Sequence, residues 1–327
     1  MKVLAGDIGG TKTTLAIFDV SEPRPVSLQE ATYQSAGFDS LESIVSTFLG
    51  GVSGDCAHAC FGIAGPVSAN TAKTTNLPWF IDGDRMADSL NLNRVSLIND
   101  LEANAWGIAA LTPADFFELS PGAPGATGNA AVISAGTGLG EAGMYWDGEQ
   151  HRPFGTEGGH ADFSPQTERE TELLLFLKTR YEHVSWERLV CGGGLVNIYE
   201  FMLSRRGAEP LPAVRDAMRE GDPAAAISKA ALSGECEHCA DALDLFVHLY
   251  GAETGNLALK MMATGGVYVG GGIAPKILER LKAPGFMQAF QAKGRMEPLM
   301  RGMPVRVILN PRTALLGPAL FVLAAGS

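Results

Sequence analysis

Apolar residues run almost unbroken through Val3-Leu4-Ala5 and again through Leu15-Ala16-Ile17-Phe18, and the break between them is built on Gly9, Gly10 and Thr11. Short apolar runs bounded by glycine read as strands. The same design returns far down the chain, where Val132-Ile133-Ser134-Ala135-Gly136-Thr137-Gly138-Leu139-Gly140 leads into Met144-Tyr145-Trp146-Asp147. Each copy reads as a strand, a tight turn of Gly and Thr, a second strand and an acidic turn. The pattern predicts a duplicated unit with a phosphate-gripping hairpin in each half, and two lobes that close on a nucleotide.

Around these hairpins the pattern predicts strands at 2–8, 13–19 and 29–33, a helix over 40–49 and a strand over 57–63, the mixture of an α/β lobe. Val95-Ser96-Leu97-Ile98 is a further short strand that runs through Asn99-Asp100 into a helical stretch from Leu101 to Gly107. Pro113, Pro121 and Pro124 with Gly122, Gly125 and Gly128 read as a loop before the second half starts at Ala130. Helices are expected over 168–178, 194–203, 212–220 and 235–264, broken by Gly192-Gly193-Gly194 and closed by Val267-Tyr268-Val269-Gly270-Gly271-Gly272. A last strand over 305–310 and a helix over 313–325 are expected to return to the first lobe. The expected division is a small α/β domain over 1–110, completed by 302–327, and a large α/β domain over 111–301.

Glycine suits a phosphate turn because a chain without Cβ atoms lets backbone N–H groups converge on phosphate oxygens, with Thr hydroxyls as further donors. An ordinary hairpin turn explains one such segment; two matching turns favour phosphate. Gly6 to Thr13 falls short of a P-loop, since Thr11 stands where the second glycine belongs and a strand follows in place of a helix. Gly138-Leu139-Gly140-Glu141-Ala142-Gly143 meets the dinucleotide fingerprint by letter, yet Met144-Tyr145-Trp146 and a turn follow it, so no crossover helix presents its N-terminus to a pyrophosphate.

The 327 residues, 46% hydrophobic and 19% charged, fit a globular protein with room for two cores. A formal net charge of -11 argues against a nucleic-acid partner, which requires clustered Lys and Arg. No apolar run reaches about 18 residues and no signal-peptide succession opens the chain, so a membrane is not an expected partner and a cytoplasmic location is expected. Five cysteines fit reduced thiols better than a disulfide framework. Cys236-Glu237-His238-Cys239 has zinc-like spacing but lies in a helical stretch without a second pair, and Cys56, His58 and Cys60 alternate along a strand, which packing explains.

Three segments carry candidate chemistry. Asp100 follows a strand end, where α/β folds place ligands, although an aspartate there also caps a helix. Gly155-Thr156-Glu157-Gly158-Gly159-His160 puts an acid and an imidazole on a glycine-framed loop, which suits a polyol and equally suits a solvated turn. His183-Val184-Ser185-Trp186-Glu187-Arg188 reads as a helix start with Ser185 as cap and Glu187 in the first turn.

Taken in order and approximate spacing, Leu4-Ala5-Gly6-Asp7-Ile8-Gly9-Gly10-Thr11, Leu97-Ile98-Asn99-Asp100, Gly136-Thr137-Gly138-Leu139-Gly140, Glu157-Gly158-Gly159-His160 and Gly270-Gly271-Gly272-Ile273 resemble the bacterial glucokinases of the hexokinase and actin superfamily. The likeness covers essentially the whole chain. Asn76-Leu77-Pro78-Trp79 and Val184-Ser185-Trp186-Glu187-Arg188 are similar to the enterobacterial-type branch.

The resemblance implies an α/β fold of two lobes, actin-like (ribonuclease H-like) and duplicated, with a nucleotide and sugar cleft between them. It implies ATP-dependent phosphorylation of D-glucose at the 6-hydroxyl, with ATP and Mg²⁺ as cofactors and a homodimer as the assembly. Asp100 would be the catalytic base, with Asn99, Glu157, His160 and Glu187 binding the other hydroxyls. Gly6, Asp7, Ile8, Gly9, Gly10, Thr11, Gly136 and Thr137 would belong to the phosphate path, and Gly192, Gly193, Gly194, Gly270, Gly271 and Gly272 to the nucleotide site. Relatives in the wider group of repressors and sugar kinases follow the Gly-His with zinc-binding cysteines; here Ala161-Asp162-Phe163-Ser164-Pro165 follows, so structural zinc is not implied. Two rival readings are a kinase for another hexose or amino sugar, and an actin-like ATPase that acts on a protein.

Overall fold

Val3, Leu4 and Ala5 are fully buried because helices cover both faces of the strand they form. In the computed structural model, which describes residues 1–22, 24–51, 56–74 and 77–326, the chain forms two units. The first comprises Met1–Asp115, Arg152–Gly155 and Asn310–Ser327, and the second Phe116–His151 and Thr156–Leu309.

In the first unit β1 (Lys2–Ile8), β2 (Lys12–Asp19), β3 (Val26–Gln34), β4 (His58–Ile63) and, after a small three-stranded sheet of β5 (Val67–Ser68), β6 (Thr71–Lys73) and β7 (Phe80–Asp82), β8 (Arg94–Asn99) build one sheet in the order β3-β2-β1-β4-β8. The β1–β2 and β2–β3 pairs are antiparallel; β1–β4 and β4–β8 are parallel. Period two sorts the side chains. Leu4 and Ile8 pack with Leu15, Ile17 and Phe61 beneath α1 (Leu41–Gly50), whose Leu41, Ile44, Val45 and Phe48 face them. Val3, Ala5, Ala16 and Phe18 pack on Leu315 and Ala319 of the C-terminal helix Thr313–Gly326. Each such fully buried aliphatic or aromatic side chain contributes about 1.5–3 kcal/mol relative to exposure. Ser40 starts α1 by accepting the Ser43 N–H, and α2 (Gly83–Leu90) and α3 (Asp100–Gly107) complete the unit. Trp79 is buried in the α1 layer, whereas Asn76 lies outside the described residues.

The second unit repeats this order. The second sheet consists of β9 (Phe116–Ser120), β10 (Ala130–Ala135), β11 (Leu139–Trp146), β12 (His151–Thr156, of which Arg152–Gly155 counts with the first unit), β13 (Gly266–Gly270) and β14 (Val305–Ile308), arranged β12-β11-β10-β13-β14-β9. Again the hairpin pair is antiparallel and the next two pairings, β10–β13 and β13–β14, are parallel. Its helices are α4 (Glu168–Lys178), α5 (Gly192–Arg206), α6 (Pro212–Glu220), α7 (Pro223–Leu232), α8 (Glu237–Met261), α9 (Leu278–Leu281), α10 (Pro284–Gln291) and α11 (Glu297–Arg301). Cys236 and Cys239 are buried at the start of α8, where the Cys236 sulfur accepts the Cys239 N–H.

Several expectations need correction. The strand expected at 305–310 belongs to the second sheet, paired with β13 and β9, so only the terminal helix returns to the first unit. The proline-rich stretch after 113 contains β9. Gly192, Gly193 and Gly194 do not interrupt a helix; they are the first turn of α5, capped by Cys191. The 235–264 helix is shorter than expected, and α7 precedes it. Among the described residues no helix is long and apolar enough to cross a membrane.

Candidate active site

In the first unit three parallel strands end side by side, and their carboxyl ends carry the polar residues. Asp7 pairs in register with Gly62, and Gly62 with Ile98, two residues before Asp100. Alternation puts Asp7 on the same face as Val3 and Ala5, the side of the terminal helix. Gly62 lies against α3: a Cβ there would come within 2.8 Å of Ala103 Cβ and 3.8 Å of Asp100 Cα. Because residue 62 has no side chain, the first turn of α3 settles beside the end of β1. The helix is capped by Asn99, not Asp100: Asn99 Oδ1 accepts the Leu101 and Glu102 N–H groups at 2.9 and 3.3 Å, and Nδ2 donates to Gly65 O. Asp100, the first helical residue, accepts the Leu101 N–H through Oδ1 at 3.0 Å. Burial pushes the Asp7 carboxyl up to about 6, with no hydrogen bond or ion pair to offset it among the described residues.

The turn between β1 and β2 is closed by Gly9 N–H donating to Lys12 O, and Ser35 holds it from the end of β3. The Ser35 N–H donates to Thr11 O, its hydroxyl donates to Gly9 O at 2.9 Å, and Thr13 Oγ1 lies 3.0 Å away. Sequence reasoning missed Ser35, whose role depends on a pairing that brings Gln34 opposite Lys12. Gly6 and Ile8, counted with the phosphate path, are core positions: Ile8 is buried in the α1 layer, and a Cβ on Gly6 would meet Phe61 and Leu15. Neither offers a side chain to a ligand.

In the second unit the glycine segments converge. Gly136 N–H closes the β10–β11 turn on Gly138 O, Gly136 O accepts the Gly192 N–H at the start of α5, and Ala135 O accepts the Ile273 N–H. Gly271 has φ +80°, a left-handed conformation suited to glycine, directly after β13. The Tyr250 hydroxyl binds the strand ends together, accepting the Ala135 N–H at 3.3 Å and lying 3.2 Å from Gly270 O. Gly136, Thr137, Gly192–Gly194 and Gly270–Gly272 thus gather where the parallel strands end and a fifteen-residue helix begins, a place that favours anions. Ser134 stands on β10 at the register of Gly270, buried, with no hydrogen-bond partner for its hydroxyl. It too escaped the sequence reading.

The acid-rich loops also belong to the second unit. Glu157 and Gly158–His160 form a tight turn, with His160 Nε2 3.9 Å from Glu157 Oε2 and both side chains more than half exposed. His160 and Glu187 line one cavity of about 300 Å³ with Tyr181, His183, Ser185 and Arg188. The expected Ser185 cap is absent: Trp186–Arg188 is a single 3-10 turn without a side-chain cap. Glu187 instead reaches back to the glycine turn, where Oε2 accepts the Leu139 N–H at 3.0 Å and a Cβ on Gly138 would lie 2.5 Å from it.

Solved structures share this architecture. A glucokinase from an Antarctic psychrotroph is similar with TM-score 0.83 and 29% identity, covering 99% of both chains. A Balamuthia mandrillaris glucokinase in complex with glucose shares the fold at TM-score 0.76 and 22% identity, over 98% of this chain and 93% of that one. The architecture is that of a sugar kinase. A family model described as Glucokinase matches residues 4–325. A glucokinase of Trichormus variabilis is 43% identical over 334 residues, 97% of this chain and 98% of the relative. One from Yersinia enterocolitica is 34% identical over 98% of this chain and 95% of the relative. The chain belongs to the glucokinase family, and its reaction is the ATP-dependent phosphorylation of glucose, which sets aside an ATPase that works on a protein.

Proposed function

We propose that Asp100 is the general base for transfer to the glucose 6-hydroxyl. The O6–H proton passes to its carboxylate as O6 forms a bond to the γ-phosphorus of ATP and the bond to the ADP oxygen breaks, which yields glucose 6-phosphate and ADP. The observation that carries this reading is that Asn99 Oδ1 takes the Leu101 and Glu102 N–H groups, so the start of α3 does not depend on Asp100, which only shares the Leu101 N–H at the end of the parallel strands. Asn99 keeps one N–H of its amide for a hydroxyl. Glu157, His160 and Glu187 accept or donate to the remaining hydroxyls, and a sugar that lacks or misplaces one of them loses that hydrogen bond, which favours glucose over epimers and N-acetylated hexosamines.

The nucleotide phosphates are taken by backbone N–H groups and hydroxyls of Gly9, Gly10, Thr11, Gly136 and Thr137, with Gly192–Gly194 and Gly270–Gly272 beside the nucleotide. Asp7 fits a divalent cation: it is a hard oxygen donor at a strand end whose burial has no counter-charge. Asp7 would hold Mg²⁺ there, and the ion would supply charge neutralisation for the phosphate oxygens. The matching strand orders support a ribonuclease H-like duplication. A homodimer, a cytoplasmic location and a place in glycolysis complete this reading on family resemblance.

The test is Asp100→Asn in a coupled assay. Loss of kcat by roughly 10²-fold or more with glucose binding retained is expected; near-normal turnover in a folded variant refutes the base assignment.

A further inference from the structure

Beneath the Glu157–His160 turn lie two buried carboxyl groups that the reaction does not use. Glu141 on β11 is 1% exposed and Glu253 on α8 is 0% exposed. Among the described residues neither Glu141 Oε1 nor Glu253 Oε1 receives a hydrogen bond, and a charge on Glu253 opposes the ionisation of Glu141. Two buried like charges disfavour joint ionisation, whereas a carboxylic acid beside a carboxylate removes that repulsion and supplies a proton for an oxygen that lacks a donor. Glu253 has the better anion environment, since Asn256 Nδ2 donates to its Oε2 at 2.7 Å and Lys260 Nζ lies 3.6 Å from Oε1. Lys293 also acts on Glu253, Lys260 acts on Glu141 as well and opposes its neutral form, and Tyr250 faces Glu141. Glu141 is therefore the proton carrier, and burial pushes it up to about 8.

The turn rests on this residue. Thr156 Oγ1 donates to Glu141 O at 3.0 Å and accepts the Gly158 N–H at 3.2 Å. A Cβ on Gly158 would lie 2.8 Å from the Glu141 carboxyl carbon. The backbone thus sits directly on the carboxyl group, and Glu157 and His160 lie on either side of the contact.

We propose that Glu141 is a positioning residue for glucose: as a neutral acid beside Glu253 it is the floor of the turn that presents Glu157 and His160, and its ionisation displaces that turn. The inference rests on the sugar-binding reading of Glu157 and His160. Above its titration a second buried negative charge appears beside Glu253, and the proton that kept the two groups from repelling is gone.

The experiment compares wild type, Glu141→Gln and Glu157→Ala between pH 7 and pH 9. Wild-type KM for glucose is expected to rise roughly tenfold over that range, while KM for ATP holds, as follows when only the protonated form binds well. Glu141→Gln, which keeps the shape and a donor without titrating, is expected to hold the low KM at both values. A Gln variant whose KM climbs like wild type, or a wild type with a flat KM, overturns the proposal. Infrared difference spectra of the wild type serve whether or not the variant folds: a carboxylic-acid band at pH 7 that disappears by pH 9 supports the proposal, and its absence at pH 7 overturns it. An unchanged glucose KM in Glu157→Ala fails the sugar-loop reading itself, an outcome distinct from failure of the Glu141 role.

Discussion

Gly62→Ala tests the link between strand packing and the position of Asp100. The added methyl would stand 2.8 Å from Ala103 Cβ, where carbons in contact prefer about 3.5–4.0 Å. Relief requires α3 to withdraw by about 1 Å, and Asp100 is its first residue. One methyl forced into a packed interior costs about 1–3 kcal/mol, and a catalytic group misplaced by about 1 Å loses on the order of 10²-fold in rate. The variant is expected to fold, to melt earlier, and to lose between about 10- and 100-fold in kcat with a small change in KM for ATP. Steady-state kinetics and thermal unfolding on the same preparations measure both. Adding Ala103→Gly removes the collision, so kcat should largely recover, whereas the melting temperature should stay low because a glycine inside a helix costs about 0.5–1 kcal/mol. A single variant with wild-type kcat, or a double variant with no recovery, refutes the idea that residue 62 sets the place of Asp100.

Asp7→Asn should separate activity from stability. The folded carboxyl titrates at about 6 against 3.8 for an ordinary aspartate, so the folded state binds more protons between these values and stability falls as pH rises through that window. At pH 7 without nucleotide the Asn variant is expected to be more stable, by up to about 3 kcal/mol, yet nearly inactive; a less stable or fully active variant refutes the account, as does wild-type kcat/KM for ATP that does not fall below pH 6. Glu187→Ala should raise KM for both glucose and ATP, since Glu187 also holds the Leu139 N–H of the glycine turn, while Glu157→Ala should raise KM for glucose alone. Equal selectivity in the two variants refutes the structural part of the Glu187 role.

Elements whose signals are local were legible in the sequence. The β1 and β2 strands announce themselves by apolar runs on either side of a glycine turn, and α4 and α6 lie over the stretches where the sequence predicts helices. Long-range pairing was not legible. Phe116-Phe117-Glu118-Leu119-Ser120 is a strand because Val305–Ile308 comes alongside it, and flanking prolines disguised it as loop. Gly192-Gly193-Gly194 read as punctuation, yet Gly192 is tied to Gly136 and Gly194 to the Cys191 sulfur, which makes a helix start of them. The candidate site residues that the sequence offered have distinctive neighbours along the chain, whereas Ser35, Ser134, Tyr250 and Glu141 make contacts that no local motif encodes.

The two hairpins share a strand register but differ at the position that bears on charge. Ile8 ends β1 as Ala135 ends β10, so Asp7 corresponds to Ser134; their parallel neighbours, Gly62 and Gly270, correspond as well. One register therefore carries a carboxylate in the first unit and a hydroxyl in the second. At an effective dielectric near 20, a carboxylate 4 Å from a phosphate oxygen costs about 4 kcal/mol for each unit of charge. A hairpin that meets phosphate through its own N–H groups gains nothing from such a charge, and Ser134 supplies a neutral donor at that position. An aspartate is tolerable only where a cation offsets it, and Asp7, half-buried and without an ion-pair partner among the described residues, is where that cation would be needed.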